Sequence, residues 1–164
     1  VETIAGIYDD VMAADGLALM LHSYAPRSLN VPVDERIVER LRAEYEPDRI
    51  QSWPLRAEVD LIADDPEGRR LASTALVDQV RAALRAIGRE VAICGTYSLH
   101  DGTLAAELAD QYQGRTLCVE ARRDLLVEEF TPFAEMLGDP AKVEPLARAV
   151  TDGILAAREA QSGA

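Results

Sequence analysis

The chain has 164 residues, 48% of them apolar, enough to bury one sizeable core and too many for a disordered tail. Its formal net charge is −12, and every basic residue except Lys142 is an arginine. That balance argues against a nucleic-acid or anionic-membrane surface, since phosphate binding needs a positive field, while a local arginine cluster still permits a small acidic substrate.

Taken in chain order, residues 1–14 place Ile4, Ile7, Tyr8, Val11 and Met12 at helical spacing, and Asp15-Gly16 stops that helix. Leu17 to Leu21 is a continuous apolar run, the pattern of a strand buried on both faces. His22 to Ser28 reads as the loop leaving its C-terminal end. Asp34 is placed to cap a helix with Ile37, Val38 and Leu41 on one face, ending before Pro47. Glu58 to Ala63 is a second strand, and Asp64-Asp65-Pro66-Glu67-Gly68 is turn chemistry. Residues 70–87 carry the strongest helical pattern, with Leu76, Val77, Val80, Leu84 and Ile87 in register and Gly88 at the end. A third strand runs from Glu90 to Cys94. Thr103 caps a helix with Leu104, Leu108 and Tyr112, closed by Gly114. Thr116 to Val119 is a fourth strand leading into Glu120-Ala121-Arg122-Arg123-Asp124. Asp139-Pro140 opens a last helix with Val143, Leu146, Val150, Ile154 and Leu155 on its apolar face.

Alternating strands and helices imply one α/β domain over residues 1–164, with a mainly parallel or mixed sheet and helices on both faces. The alternation by itself favours the largely parallel form. Such sheets bind ligands at the C-terminal ends of their strands, and two polar clusters fall there: His22 to Ser28 and Glu120 to Asp124. No apolar run reaches the ~20 residues of a membrane span. The two cysteines, Cys94 and Cys118, lie in apolar runs and read as buried thiols of a reducing compartment, hence a cytoplasmic protein.

His22 directly follows a buried strand. It is either a metal ligand held at the sheet edge or a histidine merely hydrogen-bonded at a strand end. Glu120 ends an apolar strand, and partial desolvation would raise its pKa toward the range of a general base. Its other reading is an ion pair with Arg122 or Arg123, which would pull the pKa down. Arg27, Arg122 and Arg123 are candidates to hold a substrate carboxylate, and each singly also reads as a surface arginine. Arg122 is the first choice, because Arg123 has the opposite parity along an extended segment. His100 reads as a solvated loop histidine and Trp53 as a packing lid. No Gly-rich phosphate loop, Gly-x-Ser-x-Gly elbow or Cys-x-x-Cys pair is present.

Leu21-His22-Ser23-Tyr24, Glu58-Val59-Asp60-Leu61-Ile62 and Leu117 to Leu125, in that order and separation, resemble motifs of the N-formylglutamate amidohydrolase family. The resemblance spans about residues 15 to 155. It implies a phosphorylase/hydrolase-like fold, a zinc held by His22, Glu120 as general base, and hydrolysis of the amide of a small acidic N-acyl amino acid such as N-formylglutamate. Arg27 or Arg122 would hold the substrate carboxylate. The family's remaining zinc ligands, a His and an acidic residue, come from an N-terminal segment that these residues do not contain. The resemblance therefore implies the C-terminal portion of a longer hydrolase domain, with those ligands upstream of residue 1. By itself the chain is then not a competent zinc enzyme, and an unpaired sheet edge or an exposed apolar patch is expected. The rival expectation is a non-catalytic ligand-binding or interaction domain that kept the fold without a complete metal site.

Overall fold

Apolar runs bounded by breakers become strands here, and the segments of 3.6-residue periodicity become the helices that cover them. In the computed structural model, which describes residues 2–162, the order is α1 (Glu2–Ala13), β1 (Ala18–Tyr24), α2 (Ile37–Glu44), α3 (Pro47–Ile50), β2 (Val59–Ile62), α4 (Thr74–Ala86), β3 (Val91–Ile93), α5 (Leu104–Gln111), β4 (Thr116–Arg122), a 3-10 turn (Arg123–Leu125) and α6 (Pro140–Ser162). The four strands form one sheet in the order β1-β4-β2-β3. β1 is parallel to β4 and β2 to β3, but β2 runs antiparallel to β4. The sheet is therefore mixed rather than largely parallel. The connection through α4 is a crossover that fixes β2 and β3 as parallel, whereas the long excursion over residues 25–58 returns the chain reversed. Alternation of strands and helices is compatible with either sense.

Two strands run further than the apolar runs that announce them. β1 continues through His22, Ser23 and Tyr24, and β4 through Glu120, Ala121 and Arg122. Their polar ends are kept in the sheet because each pairs with the other in parallel register, His22 with Glu120 and Tyr24 with Arg122. The backbone groups of those residues thus find partners that a loop would have to seek in water.

Side chains alternate between two covered faces. Val59, Leu61, Val91, Leu117 and Val119 point to the face closed by α4 and α6, where Leu76, Val80 and Leu84 are fully buried. Each such side chain contributes roughly 1.5–3 kcal/mol of burial. Ser73 caps α4 by accepting from the Leu76 N–H at 3.1 Å. On the other face, Ile62 and Cys118 pack against Ala106 and Ala109 of α5, and Ala18 packs with Tyr8 of α1 and Leu108 of α5. Thr103 caps α5 through the Ala106 N–H at 3.2 Å. Asp34 accepts from the N–H of Arg36, so it braces the start of α2 from one turn before its first residue.

Among the described residues β1 pairs only with β4, so its other side is an open sheet edge. The strand is not buried on both faces as expected: Leu21 is 68% exposed, at the edge where, among the described residues, β1 has no further strand beside it. Among the described residues, no helix is long and apolar enough to cross a membrane.

Candidate active site

The register sets three side chains in one row on the α1/α5 face. His22 of β1 is paired with Glu120 of β4, and Glu120 with Asp60 of β2. Neighbouring strands lie about 4.8 Å apart, so the three functional groups stand side by side. The parallel β1–β4 pair and the antiparallel β4–β2 pair are both needed for this row. His22 is exposed at the sheet edge, Glu120 is half-buried, and Asp60 is fully buried.

Asp60 is held by a chain reversal. Cys94, at the end of β3, adopts a left-handed backbone with φ 49°, a conformation that side chains beyond glycine rarely take. Its Sγ accepts from the N–H groups of Ala63 and Asp64, both at 3.3 Å, and those contacts fix the turn. The following segment folds back over the sheet, and Asp60 accepts from Gly95 N–H at 3.0 Å and Thr96 N–H at 2.6 Å. Two backbone donors offset the cost of burying this carboxylate. Position 95 has to be glycine: a Cβ there would lie 2.9 Å from the Ala92 Cβ and against both Asp60 oxygens.

Glu120 lacks such support. Its Oε2 is buried and takes no hydrogen bond from the protein. Burial pushes its pKa above the ordinary carboxyl range; the His22, Arg56 and Arg123 charges pull it down, the Asp60 charge adds to the rise, and burial wins. The competition between desolvation and arginines foreseen in the sequence thus resolves toward a raised pKa. The same environment raises the Cys118 thiol, two residues before Glu120, to about 12, through burial first and then the Glu120 and Asp60 charges. Burial likewise raises the Tyr24 phenol, whose hydroxyl donates to the Ala57 carbonyl at 2.7 Å.

The three candidate arginines are placed differently. Arg27 donates to the Trp53 carbonyl and to Gln51, both at 2.7 Å, tying the loop after β1 to the turn after α3. Arg122 shares the face of Glu120, as its parity requires. However, its Nε donates to Asp124 at 2.9 Å and its Nη1 to the Arg56 carbonyl at 3.1 Å, so the fork is spent locally. Arg123 donates to the Ser23 hydroxyl at 3.2 Å and to the Ser23 carbonyl at 3.1 Å. Of the three, Arg123 is the one whose charge reaches Glu120. His100 is exposed in its loop, 3.3 Å from the Ser98 hydroxyl.

Sequence reasoning placed Asp60 in a motif segment and weighed it as a further ligand without assigning it a role, and it did not single out Arg56. Arg56 precedes β2, and its guanidinium carbon lies 5.2 Å from the Tyr24 ring centroid and 5.5 Å from that of Tyr97. No spacing signal announces either residue, since their neighbours come from β1 and from the turn at Cys94.

A metal would find only part of a site here. Among the described residues no group of three or more His, Cys, Asp and Glu is placed to hold an ion. His22 and the unpartnered Glu120 oxygen offer two donors, and the Asp60 oxygens are already engaged. A catalytic zinc needs about three protein ligands and an open position, so these residues do not make one alone.

No family model matches the chain, and no curated protein matches it. Among solved structures, the chain is similar to N-formylglutamate amidohydrolase from Ralstonia eutropha JMP134. The two are 22% identical with a TM-score of 0.55, over 99% of this chain and 49% of that one. The likeness shows the fold, an α/β arrangement with a mixed sheet, and the chain spans about half the length of that structure. A second structure, the dodecamer of PhTET1-12s, is 17% identical over 89% of this chain and 35% of that one, and its TM-score of 0.36 supports no argument.

Proposed function

We propose that the chain carries the proton-transfer half of an amidohydrolase site, acting on the linear amide of a small acidic N-acyl amino acid such as N-formylglutamate. One observation carries the reading: the half-buried Glu120, with an unpartnered oxygen and a raised pKa, stands beside an exposed histidine on an accessible sheet edge. A carboxylate in that condition is a poor ion pair and a good base, because it gains by taking a proton from water. Glu120 would accept that proton and return it to the departing amine. Asp60, fixed by two backbone N–H groups, would hold the row in place and keep a negative charge beside Glu120. Arg123 would contribute positive charge toward a substrate carboxylate.

Zinc is the cofactor we propose, with His22 as one ligand and the rest from outside these 164 residues; such an ion polarises a carbonyl and acidifies a bound water. Half the length of the structurally similar amidohydrolase lies outside the match, which leaves room for further ligands. Two free thiols support a reducing, cytoplasmic setting. The test is release of formate from N-formylglutamate by a zinc-loaded protein that carries the proposed further ligands together with these residues, and by its Glu120→Gln variant. Loss of about 10²-fold or more in kcat is expected. An unchanged kcat removes Glu120 from the chemistry.

A second reading, a ligand-binding domain without catalysis, is favoured by the incomplete donor set among the described residues. It requires that N-formylglutamate bind without formate release however much zinc is supplied.

A further inference from the structure

We infer that two copies of this chain pair through the open edge of β3 and the flank of α4 beside it, antiparallel about a twofold axis at Ala92. This surface lies at the opposite end of the sheet from β1, so it is independent of the proposed chemistry.

The Glu90 carbonyl accepts from the Val59 N–H at 3.1 Å, and the Cys94 N–H donates to the Leu61 carbonyl at 3.0 Å, so the even-numbered residues of β3 face β2. Val91 and Ile93 turn their N–H and C=O groups the other way, where among the described residues no strand stands. Set antiparallel to itself about Ala92, the strand places Val91 opposite Ile93 of the second copy. Those two residues then exchange both N–H to C=O bonds, and the twofold axis repeats the exchange, so every outward group of the edge finds a partner. Ala92 meets its counterpart as the closely spaced, non-bonded pair, which a methyl group admits.

A strand of three residues gives little specificity, and α4 supplies it. α6 lies over β1 and β4, where Val143, Val150 and Ile154 share a hollow with Leu19, Leu21 and Val119. α4 lies beside it over β2 and β3. Pairing the β3 edges brings the two α4 helices two strand spacings apart, about 10 Å, a distance at which helices pack. Gly153 of α6 rests on Gln79 and Val80, so the opposite flank of α4, with Asp78, Arg81 and Arg85, overhangs the β3 edge. A strand rises about 3.3 Å per residue and a helix about 1.5 Å, so Ala92, four residues past the Gly88 turn, stands level with the middle of α4. Asp78 and Arg85 straddle that level, about two turns apart. Both are exposed, and neither side chain makes a hydrogen bond or ion pair among the described residues. Two antiparallel copies set each Asp78 against the other's Arg85, while Arg81, near the axis, has a stem long enough to turn its charge to water. A net charge of −12 on each copy opposes association in general, so a contact between copies needs local pairs of this kind.

Sedimentation velocity of the whole protein at about 0.15 M salt, where distant repulsion is screened, should show a dimer in equilibrium with monomer. Arg85→Asp and Asp78→Arg each turn two attractions into two repulsions by symmetry, and each should weaken the dimer about tenfold or more. The double variant Asp78→Arg/Arg85→Asp should restore it. No contact within one copy explains such a rescue, because the two positions lie about 10 Å apart along one helix. In hydrogen exchange, the Val91 and Ile93 amides should slow as protein concentration rises, while the Cys94 amide, bonded to Leu61, keeps its rate. A monomer at every concentration, or a dimer indifferent to both single variants, overturns the inference. So does a double variant as weak as the singles. Slowing of the two amides by a poly-glutamate peptide, but not by protein concentration, would assign the edge to an acidic partner and overturn the pairing too. Should a variant fail to fold, the wild-type exchange rates decide.

Discussion

A carboxylic acid with a buried, undonated oxygen prefers its neutral form, and this preference makes Glu120 a burden to the fold as well as the base we propose. Its folded-state pKa lies above its unfolded value, so the unfolded chain holds fewer protons between the two. Stability is then fully present below the unfolded pKa and falls as pH rises through the folded one. Glu120→Gln should leave the melting temperature unchanged at pH 3 and raise it at pH 7, on the scale of about 2–4 °C for each 1 kcal/mol recovered. A lower melting temperature at pH 7 would mean that the Glu120 charge is satisfied in the fold. At this scale the sequence was partly legible. His22 and Glu120 could be found because each follows an apolar run that fixes it in a strand. Asp60 looked like an ordinary strand residue, since the groups that bury and bind it arrive through the positive-φ turn at Cys94, more than thirty positions away.

Between elements, α4 and α6 approach each other closely over one face of the sheet. Gly153 of α6 sits against α4 so closely that a Cβ there would lie 2.6 Å from the Val80 Cα and 3.0 Å from the Gln79 carbonyl oxygen. Both contacts are with backbone, which cannot swing aside. Alanine favours a helix over glycine by about 1 kcal/mol, yet overpacking costs about 1–3 kcal/mol, and the clash should win. Gly153→Ala is therefore expected to lower the denaturation midpoint with an unchanged slope; a raised midpoint would show that α6 can shift outward freely. The helices themselves were legible, because their apolar periodicity is local, as are Thr103 before α5 and Pro140 opening α6; the start of α4 was not, since Ser73, which caps it, lies inside the segment read as helix from residue 70. The direction of β2 was not, because strand sense depends on how the 25–58 excursion packs. There Tyr45 meets Phe133 and Phe130 at ring centroid distances of 5.3 and 6.3 Å, contacts spanning more than eighty residues.

For the molecule as a whole, the open side of β1 is the feature that most shapes its behaviour. Leu21 is exposed, and hollows of about 370 and 460 Å³ flank the strand on its two faces, with His22 lining both. The unpaired edge and exposed apolar surface expected from the sequence are thus found together, at the strand that carries the candidate ligand. One histidine and one carboxylate cannot hold zinc as a full ligand set does. Calorimetric titration of residues 1–164 should therefore give weak, non-stoichiometric zinc binding that His22→Ala abolishes. Tight stoichiometric binding would require a third ligand within this chain.

The central claim, that Glu120 is the base, is tested most directly by the pH dependence of kcat/KM for N-formylglutamate, in a zinc-loaded protein that carries the proposed further ligands and with formate release as the readout. A base with a raised pKa must lose its proton before it acts, so the rate should climb with pH along an acid limb displaced above the ordinary carboxyl range. In Glu120→Gln that limb should vanish, leaving a residual rate about 10²-fold lower or less. The same limb at the same pH in both proteins would contradict the account.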